Sequence, residues 1–450
     1  EDSAQFVSMY QKQPTIYPRA VKGWFANWRW VFVWLTQLLF YGLPWLQWSG
    51  RQAVLFDLDA QRFYIFGLLL YPQDLIFLAA LLVLSALALF FFTAVAGRLW
   101  CGYTCPQTVY TEIFMWAERK IEGDRVARMR LDQQPWRWSK IWRKGAKHSA
   151  WLSIALFTGF SFVGYFTPIR ELAVDMASWN LSGWNAFWIL FYGAATYGNA
   201  GFLREQMCKY MCPYARFQSA LIDKDSLIIT YDAKRGDPRG SRSRKADSAA
   251  HGLGDCIDCT LCVQVCPTGI DIRNGLQNEC IGCAACIDVC NDVMDKMGYA
   301  KGLIRYSTEN GVVNGWTRLQ MFKRALRPRV LIYGAVLSAA SVTFAASVAM
   351  RSPFKFDVVK DRGALARVVE EGAVENVYRI QIMNRTEAPQ TYRVAASGID
   401  GLEVVAMPAS AGPAAVTSTS VSLRLPFVVA QGLAGWSVPV MFEVTAVEPT

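Results

Sequence analysis

Hydrophobic positions in this chain follow two patterns, and the change from one to the other divides it. Up to Met350 they gather in five long runs without a formal charge: Val31–Gly50, Leu75–Gly97, Ser149–Ile169, a run ending at Leu203 whose core is Trp184–Leu203, and Val330–Met350. Each is close to the roughly 20 residues that a helix needs to cross a bilayer. One such run is compatible with a buried core helix; five predict a membrane protein. The first is the weakest, because Gln37 and Pro44 interrupt it. Past Arg351 the period shortens to two. "VYRIQIMN" puts Tyr378, Ile380 and Ile382 on one face, and "SVPVMFEV" does the same with Val438, Val440, Phe442 and Val444. Alternating runs between Gly, Pro and Ser clusters read as antiparallel strands. About a hundred residues of them predict an immunoglobulin-like sandwich.

Lys and Arg in the intervening segments orient the helices. The arm through Trp30 has four, the loop Arg51–Asp74 two, the loop Arg98–His148 eleven, the loop Arg170–Asp175 one and the segment Arg204–Arg329 nineteen. The alternation of high and low predicts a cytoplasmic N-terminus and a periplasmic C-terminus. The expected organisation is a cytoplasmic arm (1–30), four transmembrane helices (31–231), a mobile linker (232–255), an iron–sulfur segment (256–300), a connector (301–329), a fifth helix (330–350) and a periplasmic sandwich (351–450). The fold class is thus a mixed membrane protein. It joins a five-helix transmembrane part, a cytoplasmic two-cluster ferredoxin segment of bacterial type and a C-terminal all-β sandwich.

Composition agrees with that frame. The chain of 450 residues is 53% hydrophobic, holds 17 Trp and is only 18% charged, which is oily against an average soluble domain. Its net charge of +10 does not point to nucleic acid, because the basic residues follow the topology and no base-reading motif accompanies them. Contact with anionic lipid headgroups fits it better. The Asn384-Arg385-Thr386 sequon is read as a chance match.

Candidate chemistry lies in the twelve cysteines. Cys256, Cys259, Cys262 and Cys266 read C-x2-C-x2-C-x3-C with Pro267 following, and Cys280, Cys283, Cys286 and Cys290 repeat the spacing. This is the bacterial run for two 4Fe-4S clusters, in which the fourth cysteine of each run serves the other cluster. One cluster is expected on Cys256, Cys259, Cys262 and Cys290, the other on Cys280, Cys283, Cys286 and Cys266. Asn291 stands where a Pro is usual. Zinc sites use pairs of ligands across a longer gap, and disulfides need an oxidising compartment, so neither suits a cytoplasmic triplet-plus-one.

The other four thiols, Cys101, Cys105, Cys208 and Cys212, occur in "WCGYTCPQ" and "MCKYMCPY". Both are C-x3-C-P and each follows a hydrophobic segment, so the membrane part looks like a twofold repeat. If a helix runs through each motif, its two thiols share a face, and Pro106 and Pro213 end or kink that helix. Four thiols then converge at the inner membrane surface, as a metal or redox site or as packed structural cysteines. Met207 and Met211 offer thioethers at the same spacing. Only His148 and His251 are available, which excludes a bis-histidine haem in the bilayer, and no flavin or dinucleotide fingerprint appears.

With these parts in order, the chain resembles the CcoG family, also called FixG or RdxA: membrane iron–sulfur accessory proteins of cbb3-type cytochrome c oxidase. "RLWCGYTCPQTVYTEIFMWAERKIEGDR", "MCKYMCPYARFQSALID", the paired ferredoxin run and the C-terminal domain carry the resemblance. It implies a multi-pass protein of the bacterial inner membrane that reduces Cu(II) to Cu(I) in the cytoplasm. It also implies copper passing to a copper-exporting ATPase and on to the oxidase subunits, with an electron donor it does not name. On that reading Cys101, Cys105, Cys208 and Cys212 are the expected catalytic and copper-holding residues, with Met207 and Met211. A quinol dehydrogenase resembling NapH or NosR and a non-enzymatic assembly scaffold are the competing readings.

Overall fold

The computed structural model describes residues 15–244 and 252–447, apart from 362, 364, 365, 370, 371 and 434. The chain divides into two units: residues 1–46 with 78–342, and residues 47–77 with 343–450.

Helices occupy all five apolar runs: Trp24–Gly42, Leu75–Ala96, Trp138–Val163, Gly183–Gly198 and Pro328–Ala349. Among the described residues, two are long and apolar enough throughout to cross a membrane, Pro72–Ala96 and Pro328–Ala349. The first helix begins and ends earlier than its hydrophobic run suggests. Pro44 turns Leu43–Trp45 into a 3-10 turn and the chain continues as strand at Gln47–Trp48. The Trp138–Val163 and Gly183–Gly198 helices pack very closely. A Cβ on Gly159 would stand 2.3 Å from the Ile189 carbonyl oxygen, so only glycine lets these backbones meet.

The ferredoxin segment is larger than its cysteine run. Strand Ile228–Tyr231 pairs antiparallel with Ile304–Ser307, placing Ile228 opposite Ser307 and Tyr231 opposite Ile304. Helix Ala285–Met297 lies under them, with Ile229, Ile272, Ile287, Met294 and Leu303 as core. The stretch expected as a mobile linker is held down where it is described. Arg235 bonds Asp255, Arg242 donates to the Gly254 carbonyl (2.6 Å), and Tyr231 donates to Asp237 (2.9 Å). Two basic side chains that read as part of a solvated run in the sequence are thus spent on local contacts; residues 245–251 lie outside the described residues.

In the second unit two antiparallel sheets form the expected sandwich. One has the order Glu403–Ala406, Val416–Leu425, Val374–Asn384, Phe354–Lys360; the other Ala409–Ala411, Gln390–Ser397, Met441–Val447. Ile380 and Ile382 are fully buried between them with Tyr392, Val421 and Val444. The last strand starts at Met441, so Val438 and Val440 precede it. Asn384 is fully buried and donates to the carbonyls of Ala388 (2.8 Å) and Gly412 (2.9 Å), which removes it as a glycan acceptor.

The loop Arg51–Asp74 belongs to this unit, as a three-stranded meander of Val54–Asp57, Arg62–Ile65 and Leu68–Leu70. Tyr71 donates to the Asn384 carbonyl (3.1 Å), and Arg351 to that of Leu69 (2.6 Å). Asp74 and Arg385 form an ion pair whose side chains are 2% and 1% exposed, with Lys355 at 3.2 Å. Burial of such a pair requires that both partners arrive together.

Candidate metal centres

The two cysteine runs build two cages related by the repeat. Cys256, Cys259, Cys262 and Cys290 line one small space, walled by Leu261, Val289, Val293 and Ile304. Cys266, Cys280, Cys283 and Cys286 are electrostatic neighbours at the second position. Cys290 thus stands with the first triplet and Cys266 with the second. Equivalent residues Thr260 and Ala284 take positive φ (55° and 60°) and start the helices Leu261–Gln264 and Ala285–Met297. Such left-handed non-glycine residues are held where the surroundings over-determine them. Backbone N–H groups of Gly282 and Ala285 bond the Cys280 and Cys283 sulfurs.

Burial pushes these thiols up, Cys262 to about 11 and Cys280 and Cys290 to about 12. Metal binding at such thiols is coupled to release of their protons. Among the described residues, no three His, Cys, Asp or Glu side chains close on a single ion. Eight thiols in two such cages fit polynuclear clusters, in which each iron takes one thiolate.

The four remaining thiols come together in the same unit. Cys105, Cys101 and Cys212 stand close enough to Cys208 to act on it electrostatically, and Cys212 acts likewise on Cys105. The motifs are not continuous helix. Cys105 and Cys212 are both extended N-caps (ψ 128° and 110°), and Pro106 and Pro213 open the helices Pro106–Glu122 and Pro213–Leu221. Proline is suited to that first position because it has no N–H to leave unpaired. The helical segments Leu99–Tyr103 and Met207–Met211 end just before the prolines, as expected, and each proline then opens a new helix. Met207–Met211 is a π turn closed by Cys212 N–H on the Met207 carbonyl (2.8 Å), preceded by Arg204 at φ 34°. Met211 is exposed and Met207 half-buried on that turn.

Burial raises Cys101 to about 11 and Cys208 to about 12, and the neighbouring thiols add to it. The fully buried Gln218 side chain sits against Cys101, with Nε2 3.3 Å from its sulfur. Cys101 and Cys208 in turn pack on the second cage, against the cluster of Ile281, Cys283 and Val289. Two details hold them there. A Cβ on Gly102 would stand 2.7 Å from the Gly282 carbonyl oxygen, and Arg98 donates to the carbonyls of Ala215 (2.9 Å) and Cys280 (3.4 Å). Asp288, on the cage helix, caps the first long helix by accepting from Phe25 N–H (3.2 Å) and Ala26 N–H (2.8 Å). Met115 and Glu112 line a space beside Cys208. None of Asp288, Gln218, Arg98 or Met115 announces itself in the sequence, because each acts across a long stretch of chain. His148 accepts or donates one bond with Tyr197 (2.9 Å) and stacks on Phe202, a packing role; His251 lies outside the described residues.

Cages, thiol group and apolar helices define a membrane-associated iron–sulfur redox protein. Family models say the same: one described as a 4Fe-4S dicluster domain matches residues 203–309, a 4Fe-4S binding domain matches 78–123, and the IG-like fold at the C-terminal of FixG matches 344–450. The nitrogen fixation protein FixG of Rhizobium meliloti (strain 1021) is 36% identical over 87% of this chain and 80% of its own. Protein RdxA of Cereibacter sphaeroides is 38% identical over 88% of this chain and 84% of its own. Protein RdxB of the same organism is 38% identical over 87% and 83%. The chain belongs to the FixG/RdxA family.

Proposed function

We propose that this protein is a multi-pass iron–sulfur oxidoreductase of the bacterial inner membrane that reduces Cu(II) to Cu(I). The observation that carries the reading is the packing of Cys101 and Cys208 against the second cage. Clusters bound in the cages supply one electron at a time, which is the number that Cu(II) needs. The chain does the rest. Cys101, Cys105, Cys208 and Cys212 present soft thiolates that favour Cu(I) over Cu(II) and so pull the reduction forward. Met207 offers a thioether beside Cys208, and Met211 a second one nearer the surface. The thiols must draw closer to hold one ion, and the π turn with its strained Arg204 is where that adjustment is built in.

The five-span topology is supported by parity. Residues 51–71 and 351–447 fold together, so they share one side, and an even number of crossings separates them. Leu75–Ala96, Trp138–Val163, Gly183–Gly198 and Pro328–Ala349 make four. Phe25 and Asp288 also share a side, with four of the five helices between them. The charge distribution puts that side in the cytoplasm. Copper delivery to an exporting ATPase and to subunits of a cbb3-type oxidase completes the reading, which rests on the family likeness. To test it, all four motif cysteines are changed to Ala in protein whose iron content is verified. Cu(I) retention and the anaerobic Cu(II) reduction rate should both collapse. Parent-like values would make these thiols structural.

A further inference from the structure

The same unit contains a second space that neither the clusters nor copper would use. It measures about 260 Å³ and lies among the Trp24, Pro106, Trp138 and Gly183 helices. Phe40, Phe162 and Tyr192 give it aromatic walls. One end is polar: Gln37 and Thr158 line it, Tyr110 neighbours both, and Tyr41 hydroxyl lies 2.9 Å from Thr158 Oγ1. Gln37 is only 8% exposed, yet its Oε1 has no hydrogen-bond partner. A buried acceptor left unpaired is costly, and calls for a donor from outside the chain.

Two further facts narrow the donor. Thr104 and Pro106 line the space, and they flank Cys105 in the sequence. Thr158 is nine residues into the apolar run that starts at Ser149, about 14 Å along a helix, so the space lies at membrane depth in the proposed topology. A flat, largely apolar ligand with hydroxyl donors, dissolved in the bilayer and oxidised next to a redox site, is a hydroquinone.

We infer that this cavity binds the headgroup of a membrane quinol, which is the electron donor. Its ring lies among Phe40, Phe162 and Tyr192, and one of its hydroxyls donates to Gln37 Oε1. On oxidation the quinol loses two electrons and two protons and leaves as quinone. The two protons are relayed along the hydroxyls of Tyr41 and Thr158, 2.9 Å apart, each passing one on as it takes one up, and are released to water outside the cavity. The electrons leave one at a time past Cys105 to the two 4Fe-4S clusters, one to each. The final step rests on the copper reading: two Cu(II) ions are reduced per quinol. Binding and cluster reduction do not depend on it.

The test uses the full chain with both clusters loaded, in lipid nanodiscs, without copper and without oxygen. Menadiol and decylubiquinol are added separately and the loss of cluster absorbance is followed. At least one should reduce the parent with saturation. In Gln37→Leu, which keeps the volume but removes the acceptor, the half-saturating concentration should rise tenfold or more, while dithionite reduces the clusters as before. Thr158→Val gives a milder change in the same direction and serves if the first variant does not fold. Solvent extraction should recover quinone from parent purified from membranes and much less from Gln37→Leu. Parent clusters that respond to dithionite but to neither quinol overturn the inference. So does a Gln37→Leu protein that titrates like the parent, which would leave the cavity to water or an acyl chain. Failure of copper reduction alone leaves it standing, because no copper is present.

Discussion

Gly102 lies flat against the peptide between Gly282 and Cys283, so close that a Cβ would meet the Cys283 nitrogen at 2.9 Å. Backbone faces backbone here, and neither can swing away as a side chain would. The first C-x3-C-P motif is thereby fixed to the loop of the second cage. Gly102→Val should push the two apart without touching a ligand. Iron content should stay at the parent level while the Cu(II) reduction rate falls; an unchanged rate would show that this contact does not couple the sites.

The ligand exchange expected from the cysteine spacing would make the cages interdependent. Cys256→Ser and Cys286→Ser each remove one ligand from a different cage. Iron analysis should drop from about eight per chain to about four or fewer in either variant. Retention of about eight irons would contradict the assignment.

A buried charge network holds the helix after the first motif. Glu118 contacts Arg128 at 2.7 Å, Arg204 at 3.2 Å and Lys147 at 3.7 Å. Removing one partner leaves the others with unbalanced charge. Arg128→Ala should cost about 3 kcal/mol, seen as a lower unfolding temperature of the detergent-solubilised protein. Because Arg204 shares the carboxylate, the variant should also alter the spectrum of any metal bound at Cys208.

The N-terminal arm is latched by an acid. Tyr17 donates to Asp132 at 2.7 Å, and Lys144 reaches it at 2.6 Å. Burial alone would raise the Asp132 carboxyl, but bonds from Lys144 and Tyr17 bring it below its ordinary value. A depressed carboxyl stabilises the latch above the unfolded value, roughly pH 4, and the contribution is lost as pH falls through the lower folded value. The arm should therefore resist cleavage after Arg19 at neutral pH and lose that resistance in acid. Asp132→Asn should be cleaved readily even at neutral pH, as limited proteolysis followed by mass spectrometry would report.

Topology is checked by fusion. A reporter placed after Val444 should be active only if it is one that works in the periplasm, and activity of a cytoplasmic reporter there would refute the five-span count.

What could be read in advance followed the range of the physics. The 4Fe-4S domain was legible because a cubane demands closely spaced thiolates, and that demand is local in sequence. The sandwich was legible from Ile380 and Ile382, since burial on one face of a strand forces period two. Repetition of C-x3-C-P announced that four thiols would meet, but not that Pro106 and Pro213 each open a new helix after the preceding one ends. The meander at Val54–Leu70 escaped notice because its strands are too short to show a period. Gln37 looked like a flaw in a membrane helix; only the fold reveals that it lines a cavity and that its oxygen has no partner.

Asp74 and Arg385 stand 311 positions apart in the chain. At ordinary rates of protein synthesis that separation is roughly 15 to 60 s. For that interval the freshly made meander has a carboxylate and a row of apolar side chains with no second half to close on. Cells making this protein must carry an incomplete domain through most of translation. A ribosome stalled before the last helix would leave it permanently open to proteases.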